Sequence, residues 1–439
     1  MNRQIIISIT ALVVFFVLFS AALPAQNPIS PEGVYIADPT ARVDRNGRMY
    51  IYGSLDVSKD GYCSDHYHVL ESKGLKTWML HENSFKSDNT LYAPDMIRKG
   101  KTYYLYYDDP SGREWVATSS KPAGPFKNGV QIEGPDGIDP NIFIDDDGQA
   151  YYFWGQFSAK GAKMNPDMKT IDKSTIVDGI VTEKDHYFHE GSFVFKRGKY
   201  YYFTYADISR KGRPTSIGYA MSTSPFGPYE YKGVIIDNDG CDPGVWNNHG
   251  SVVEYNGRWY VLYHRSTQDC VMMRKACIEP IEFREDGTIK EVEMTSQGAA
   301  GPLDAYSKIE ARRMCLTDGS ARVAEESAYK GKGKAHEILS GIKDGDRVAF
   351  KYLDFGDTPP TKFVVRARGS KGGSISPVFD QCFYGGAARL EIKPGADSWV
   401  EISCEIPPDA KHQGVHAIWL SFSVPEGEEI ELDWFRFGK

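Results

Sequence analysis

Asn46-Gly47-Arg48-Met49-Tyr50-Ile51-Tyr52 is a glycine turn followed by an aromatic-rich strand, and the same phrase returns four more times. The copies are Lys99-Gly100-Lys101-Thr102-Tyr103-Tyr104-Leu105-Tyr106, Asp147-Gly148-Gln149-Ala150-Tyr151-Tyr152-Phe153-Trp154, Arg197-Gly198-Lys199-Tyr200-Tyr201-Tyr202-Phe203 and Asn256-Gly257-Arg258-Trp259-Tyr260-Val261-Leu262-Tyr263. Successive glycines lie 53, 48, 50 and 59 residues apart. A glycine preceded by Asn, Asp, Lys or Arg suits a tight hairpin that needs positive φ. Each copy therefore predicts the turn between the first two strands of a four-stranded sheet. Five such units predict a five-bladed β-propeller, its sheets radiating around a central channel. A long β-sandwich with coincidental Tyr-rich strands would not keep that spacing. No sustained helical periodicity interrupts residues 39–291. The fold class is all-β.

The chain has 439 residues, more than one hydrophobic core usually spans, so a second domain is expected beside the propeller. Acidic residues outnumber basic ones by 59 to 51, for a formal charge of −8. A nucleic-acid surface built from clustered Lys and Arg is thereby disfavoured. Apolar residues make up 41% of the chain, which excludes a disordered protein. The aromatic excess is mostly Tyr, a residue suited to half-wet sheets and sugar-facing clefts.

Arg3 followed by the apolar run from Ile5 to Ala22 and by Leu23-Pro24-Ala25 reads as a secretory signal peptide over residues 1–25, cut after Ala25. An uncleaved membrane anchor is the alternative that this length supports. The expected location is periplasmic or secreted, with no membrane contact after cleavage. Seven cysteines, an odd number, are too dilute for a disulfide scaffold, and no CxxC pair marks a zinc site. One bridge within Cys241, Cys270 and Cys277 is compatible with the spacing.

A second repeat rides on the first. Upstream of the turns stand Ala37-Asp38-Pro39, Ala93-Pro94-Asp95, Ile138-Asp139-Pro140, His189-Glu190-Gly191 and Asn248-His249-Gly250. Asp38, Asp139, Glu190 and His249 precede their glycines by 9, 9, 8 and 8 residues, and Asp95 by 5. The first strand of a propeller blade lines the channel, so equivalent positions in different blades converge on the axis. Asp-Pro alone is turn chemistry, as Asp145-Asp146-Asp147-Gly148 is. The shared phase argues for more, because carboxylates gathered at an axis are costly unless they catalyse or hold a cation. Two carboxyl groups across a groove suit glycoside hydrolysis, in which one protonates the departing oxygen and the other activates water. A third can raise the proton affinity of the acid by like-charge repulsion.

These motifs, the blade count, Asp139-Pro140-Asn141-Ile142-Phe143 and His189-Glu190-Gly191-Ser192 resemble glycoside hydrolase family 43 over residues 30–300. The resemblance implies that Asp38 is the general base, Asp139 the modulator that orients the acid, and Glu190 the general acid. It implies that His249 stands beside a channel cation, commonly calcium held largely through water, and that Asp95 is a substrate-pocket residue. Trp154, Phe157, Trp246, Arg265 and His66 are further candidates near the mouth. For Trp154 and Trp246 blade packing is the alternative, for Arg265 an ion pair between blades, and for His66 a plain strand position.

The repeat stops near Ala299-Ala300-Gly301-Pro302, and short alternating strands follow, which reads as a β-sandwich over 303–439 after a propeller over 26–302. Gly414 to Phe422, the ending Leu432-Asp433-Trp434-Phe435-Arg436-Phe437 and the opening Ser307-Lys308-Ile309-Glu310-Ala311 resemble carbohydrate-binding module family 6. That resemblance implies a structural calcium site with contributions from Glu310 and Asp433, although Arg312 stands where a second Glu often follows. Trp399, Tyr384 and Trp419 are the aromatics available for stacking on sugar, with Trp419 in an apolar strand. The resulting expectation is an exported, inverting α-L-arabinofuranosidase acting on arabinose- or xylose-containing plant polysaccharide. A β-xylosidase or galactan-active exo-enzyme is the alternative within the family, and a non-catalytic glycan-binding protein the alternative outside it.

Overall fold

The computed structural model describes residues 23–24, 26–327, 335–382 and 386–439. The signal-peptide reading lies outside them except for Leu23–Pro24, and so does Tyr384. Five antiparallel sheets follow one another along the first 281 residues. Blade 1 holds Tyr35–Val43, Met49–Asp56, Ser64–Ser72 and Thr77–Leu91, with Leu23–Pro24 paired to the edge of the last. Blade 2 holds Asp95–Lys99, Thr102–Asp108, Glu114–Ser119 and Lys127–Gln131. Blade 4 holds Phe188–Arg197, Tyr200–Asp207, Ser216–Ser222 and Glu230–Asp237.

Two blades have three strands instead of four. Blade 3 is Asn141–Ile144, Ala150–Trp154 and Lys160–Lys163, and isolated bridges such as Gly161 to Val177 continue its outer side. Blade 5 is Ser251–Tyr255, Arg258–Thr267 and Cys270–Ile281, and the N-terminal segment takes the fourth place. There the Ile29 amide donates to Ala276 O at 2.9 Å, and the Ile278 amide donates to Asn27 Oδ1 at 2.9 Å. The ring is thus closed by joining its two chain ends.

All five repeat glycines are left-handed, with φ of +70°, +65°, +83°, +59° and +75° at Gly47, Gly100, Gly148, Gly198 and Gly257. A Cβ at any of them would meet nothing within 4 Å, so backbone conformation and not space selects glycine. The aromatic strands that follow fill the gaps between blades. Phe195 and Tyr202 stack at 4.7 Å, and Phe153 meets Phe203 edge-on at 5.5 Å across the blade 3–blade 4 boundary.

From Leu303–Asp304 onward two sheets face each other. One runs in the order Leu303–Asp304, Arg347–Asp354, Val415–Ser423, Gly373–Phe379, Leu390–Ile392. The other runs Arg322–Glu325, Glu337–Ile342, Ile430–Gly438, Lys362–Gly369, Ala396–Glu405. Phe350, Phe363, Leu420, Phe435 and Phe437 form the core between them. Trp419 packs on the propeller-side cluster that includes Tyr263, Cys241 and Cys277. Trp399 meets the Arg366 and Arg368 guanidinium groups at 5.0 and 4.5 Å from its ring centre and donates to Glu326 Oε1 at 2.8 Å.

Among the described residues all seven cysteines are free, so the bridge compatible with the spacing of Cys241, Cys270 and Cys277 is not formed. Glu310 pairs with Arg312 and Arg313, and Asp433 with His336 and Arg366. Both carboxylates are already neutralised by cations, so this pair does not fit the calcium site that the resemblance implied. No helix among the described residues is long and apolar enough to cross a membrane.

Candidate active site

The Asp-Pro and His-Glu-Gly tripeptides break their ladders. The pairing of the first and second strands shifts register between Ala37 and Thr40, and again on both sides of Glu190. Bulges of this kind re-aim side chains. Here they turn Asp38 and Glu190 toward the axis, while Asp139 stands just before its strand. Asp38, Asp139, Glu190, His249 and Trp246 line one cavity of about 310 Å³. Tyr62, Cys63, Tyr92, Gln156 and Arg274 complete much of the wall.

Asp38 is held from two sides. Ser54 Oγ donates to Oδ2 at 2.7 Å, and Arg274 Nη1 donates to Oδ1 at 2.8 Å. Arg274 is itself fixed by Asp56, which accepts from Nε and Nη2 at 2.9 Å each. Burial alone would raise the Asp38 carboxyl, but Arg274 with His264 and His249 outweighs it and holds the group well below the usual carboxylate range. Asp38 is therefore ionised throughout the physiological range.

Asp139 has the opposite environment. Burial, then the neighbouring charges of Glu190, Asp108 and Asp38, push its carboxyl well above the ordinary value. An adjacent like charge favours the protonated form of a buried carboxyl. Glu190 is the less enclosed of the two, and Gln156 Nε2 donates to its Oε2 at 2.8 Å. His249 lies with Nδ1 3.7 Å from Asp38 and 3.9 Å from Asp139, and burial brings it down to about 4, so the ring is neutral at pH 7.

Three expected site residues lie elsewhere. Asp95 is buried and accepts from Arg42 Nη2 at 2.5 Å, from Asn141 Nδ2 at 2.7 Å and from the Ile142 amide at 2.9 Å. It ties blades 1, 2 and 3 together and does not line the cavity. Its offset of 5 from the repeat glycine, against 8 or 9 for the others, drops it deeper along the strand. Trp154 is fully buried against Tyr152 at 6.0 Å, a core residue of blade 3. Arg265 is buried, donating to Thr295 O at 2.7 Å and to Met314 O at 3.4 Å and pairing with Glu279, so it braces the junction with the second unit.

Phe157 is exposed and packs edge-on against His189 at 5.1 Å, next to the cavity residue Gln156. His66 stays on its strand, against His68 and Asp65. The arginine that does serve the site, Arg274, went unread because it follows no repeat phase. Its one trace in the sequence is the pair Arg274-Lys275 inside the otherwise apolar run from Val271 to Ile278.

Among the described residues no three of His, Cys, Asp and Glu gather as a metal cage. His249 offers one imidazole, whereas calcium takes six to eight oxygens. The nearest carboxylate, Asp38, is committed to Arg274 and Ser54. The side chains do not fit a directly ligated calcium ion, and no step below runs through one.

An ionised Asp38 in one cavity with the neighbouring carboxyls of Asp139 and Glu190, on the axis of a five-bladed propeller, is the arrangement that carboxylate glycosidases use. The profile of Glycosyl hydrolases family 43 matches residues 25–289, and that of Carbohydrate binding module (family 6) matches residues 316–439. The chain belongs to glycoside hydrolase family 43. A relative named Xylosidase/arabinosidase, from Thermoclostridium stercorarium, is 29% identical over 90% of this chain and 95% of its own. The Arabinoxylan arabinofuranohydrolase of Paenibacillus polymyxa is 27% identical over 91% of this chain and 72% of its own. A crystal structure of a family 43 arabinoxylan arabinofuranohydrolase from Bacillus subtilis, in complex with cellotetraose, shares the fold. Its TM-score is 0.54 at 24% identity, covering 95% of this chain and 99% of that one.

Proposed function

We propose that this glycoside hydrolase removes terminal α-L-arabinofuranosyl residues from arabinose- or xylose-containing plant polysaccharide, with inversion. The observation that carries the chemistry is the division of charge across the cavity. Asp38, kept ionised by Arg274, takes a proton from water as that water attacks the anomeric carbon. Glu190, backed by Asp139, gives its proton to the departing glycosidic oxygen. The cavity lies at the small end of ligand clefts, which supports removal of one terminal sugar at a time. The arabinose preference rests on the relatives' names. β-Xylosidase is the second reading because the Thermoclostridium relative carries both activities in its name. The test is incubation with arabinan, arabinoxylan and xylo-oligosaccharides, with products followed by NMR. Release of β-arabinose as the first anomer supports the reading, xylose as the main product selects the second, and no release from any glycan refutes hydrolysis.

Export is part of the same proposal. Just past the expected cleavage point Gln26 O accepts from Arg313 Nη1 at 2.9 Å and Asn27 is buried against Glu279, so Gln26 and Asn27 belong to the packed unit. Among the described residues, cleavage after Ala25 would remove the pairing of Leu23 and Pro24 with blade 1. N-terminal sequencing of the exported protein checks it, with Gln26 expected first. A calcium ion at the axis would have to be held through water beside His249. Chelation with EDTA, followed by calcium, tests it through a loss of activity that calcium restores.

A further inference from the structure

Asp38 and Asp139 share an unusual backbone. Each is left-handed, with φ of +51° and +59°, and each precedes a proline that has no amide to continue the ladder. A non-glycine residue in this conformation persists only where its surroundings hold it. The Asp38 amide donates to His264 Nδ1 at 3.2 Å. The Asp139 amide donates to Asp108 Oδ1 at 3.3 Å. His264 follows Gly257 by 7 residues and Asp108 follows Gly100 by 8. Both acceptors therefore sit on the second strand of the blade that precedes, around the ring, the one they serve.

Asp108 is wholly buried and lines the cavity behind Asp139. Its second oxygen has no hydrogen-bond partner among the described residues, so the amide of Asp139 is the visible use of this carboxyl. Glu114 stands opposite it in register at the end of the hairpin. Burial, then the charge of Glu114, push Asp108 well above the usual carboxylate range. A neutral acid still accepts through its carbonyl oxygen. Next to it the Gly137 amide donates to Gly112 O at 3.2 Å, so the same hairpin tip grips the approach to Asp139 twice.

We propose that Asp108 is a positioning residue for hydrolysis: by accepting the Asp139 amide it holds Asp139 left-handed and so aims its carboxyl at Glu190. The inference rests on the reading of Asp139 as the partner of the acid Glu190. What hydrolysis needs of Asp108 is its hydrogen-bonding oxygen and not its charge.

Asp108→Ala removes the acceptor, and Asp108→Leu does so while filling the volume. Asp108→Asn keeps a neutral oxygen in the same place. The variants and Asp139→Asn are assayed on an arabino-oligosaccharide, which needs acid assistance, and on 2,4-dinitrophenyl arabinofuranoside, whose leaving group does not. Loss of the acceptor is expected to lower kcat on the oligosaccharide by about 100-fold, within the range of general acid catalysis, with KM nearly unchanged. The dinitrophenyl substrate is expected to lose less than about tenfold, since protonation no longer limits it. Asp108→Asn is expected to restore both. If Asp108→Ala does not fold, Asp108→Leu is read in its place. Equal losses on both substrates in Asp139→Asn would overturn the role of Asp139 itself. If Asp139→Asn shows the leaving-group dependence, three results overturn the role of Asp108: wild-type activity without the acceptor, equal losses on both substrates, or no rescue by Asn.

Discussion

Replacing Arg274 by Met keeps most of the side-chain volume and removes the guanidinium that donates to Asp38. In the native protein burial and Arg274 pull Asp38 in opposite directions, and the guanidinium 2.8 Å away wins. An adjacent opposite charge lowers a carboxyl by roughly 1–3 pH units, and burial raises it by a comparable amount. Without Arg274 the upward pull of burial is opposed by His264 and His249, without the guanidinium that outweighed it. The sign follows from the ionised form being the active one: it is present above the folded value and lost as pH falls through it. Raising that value moves the loss toward neutrality. kcat/KM of Arg274→Met should therefore bend downward below about pH 6 and stand about tenfold under wild type at pH 5. Asp56, left buried without its partner, should lower stability by about 3–5 kcal/mol. Thermal melts must first confirm that the variant is folded at the assay temperature. Arg274→Lys keeps a charge but cannot span Asp56 and Asp38 together, so its acid limb should fall between the two. A folded Arg274→Met whose acid limb overlays wild type would refute the reasoning.

Glu190→Gln should lose about 100-fold or more on arabino-oligosaccharide and far less on a dinitrophenyl arabinofuranoside, measured as kcat on each. An equal loss on both would mean that Glu190 is not the acid. Trp246 is half exposed at the cavity wall, so Trp246→Ala should raise KM for polymeric substrate about tenfold and leave aryl-glycoside kinetics nearly unchanged. Gly100→Ala should lower stability by about 1–2 kcal/mol, from the left-handed backbone alone, and leave kcat untouched.

Much of this was readable because a repeat turns distance along the chain into proximity in space. Five glycines at one conformation mark the blades, and the offsets of 8 and 9 residues from those glycines carry Asp38, Asp139, Glu190 and His249 to one cavity. The same rule explains a misreading, since Asp95 at offset 5 falls out of phase and meets Arg42 instead of the cavity. Aromatic identity was a weaker guide: Trp154 packs inward and Trp246 outward, and only burial tells them apart. Arg274, His264 and Asp108 were not legible for a third reason. Each acts through a residue in another blade, 236, 226 and 31 positions away, and no local pattern records such a partnership.

The second unit is joined to the propeller without a free tether. Lys275, in the third strand of blade 5, pairs with Glu337 at 2.5 Å and donates to Pro31 O at 2.7 Å. Tyr35, three residues before the base, donates to Glu325 Oε1 at 2.8 Å. A flexible linker lets a second binding site search a volume, so that almost any spacing on the ligand gives some gain in avidity. A fixed joint gives none unless both sites meet the same chain in the same orientation. A saccharide held on the sandwich would thus meet the cavity at one set distance. The enzyme would behave as a caliper on its polymer, favouring branch points at that distance over those nearer or farther.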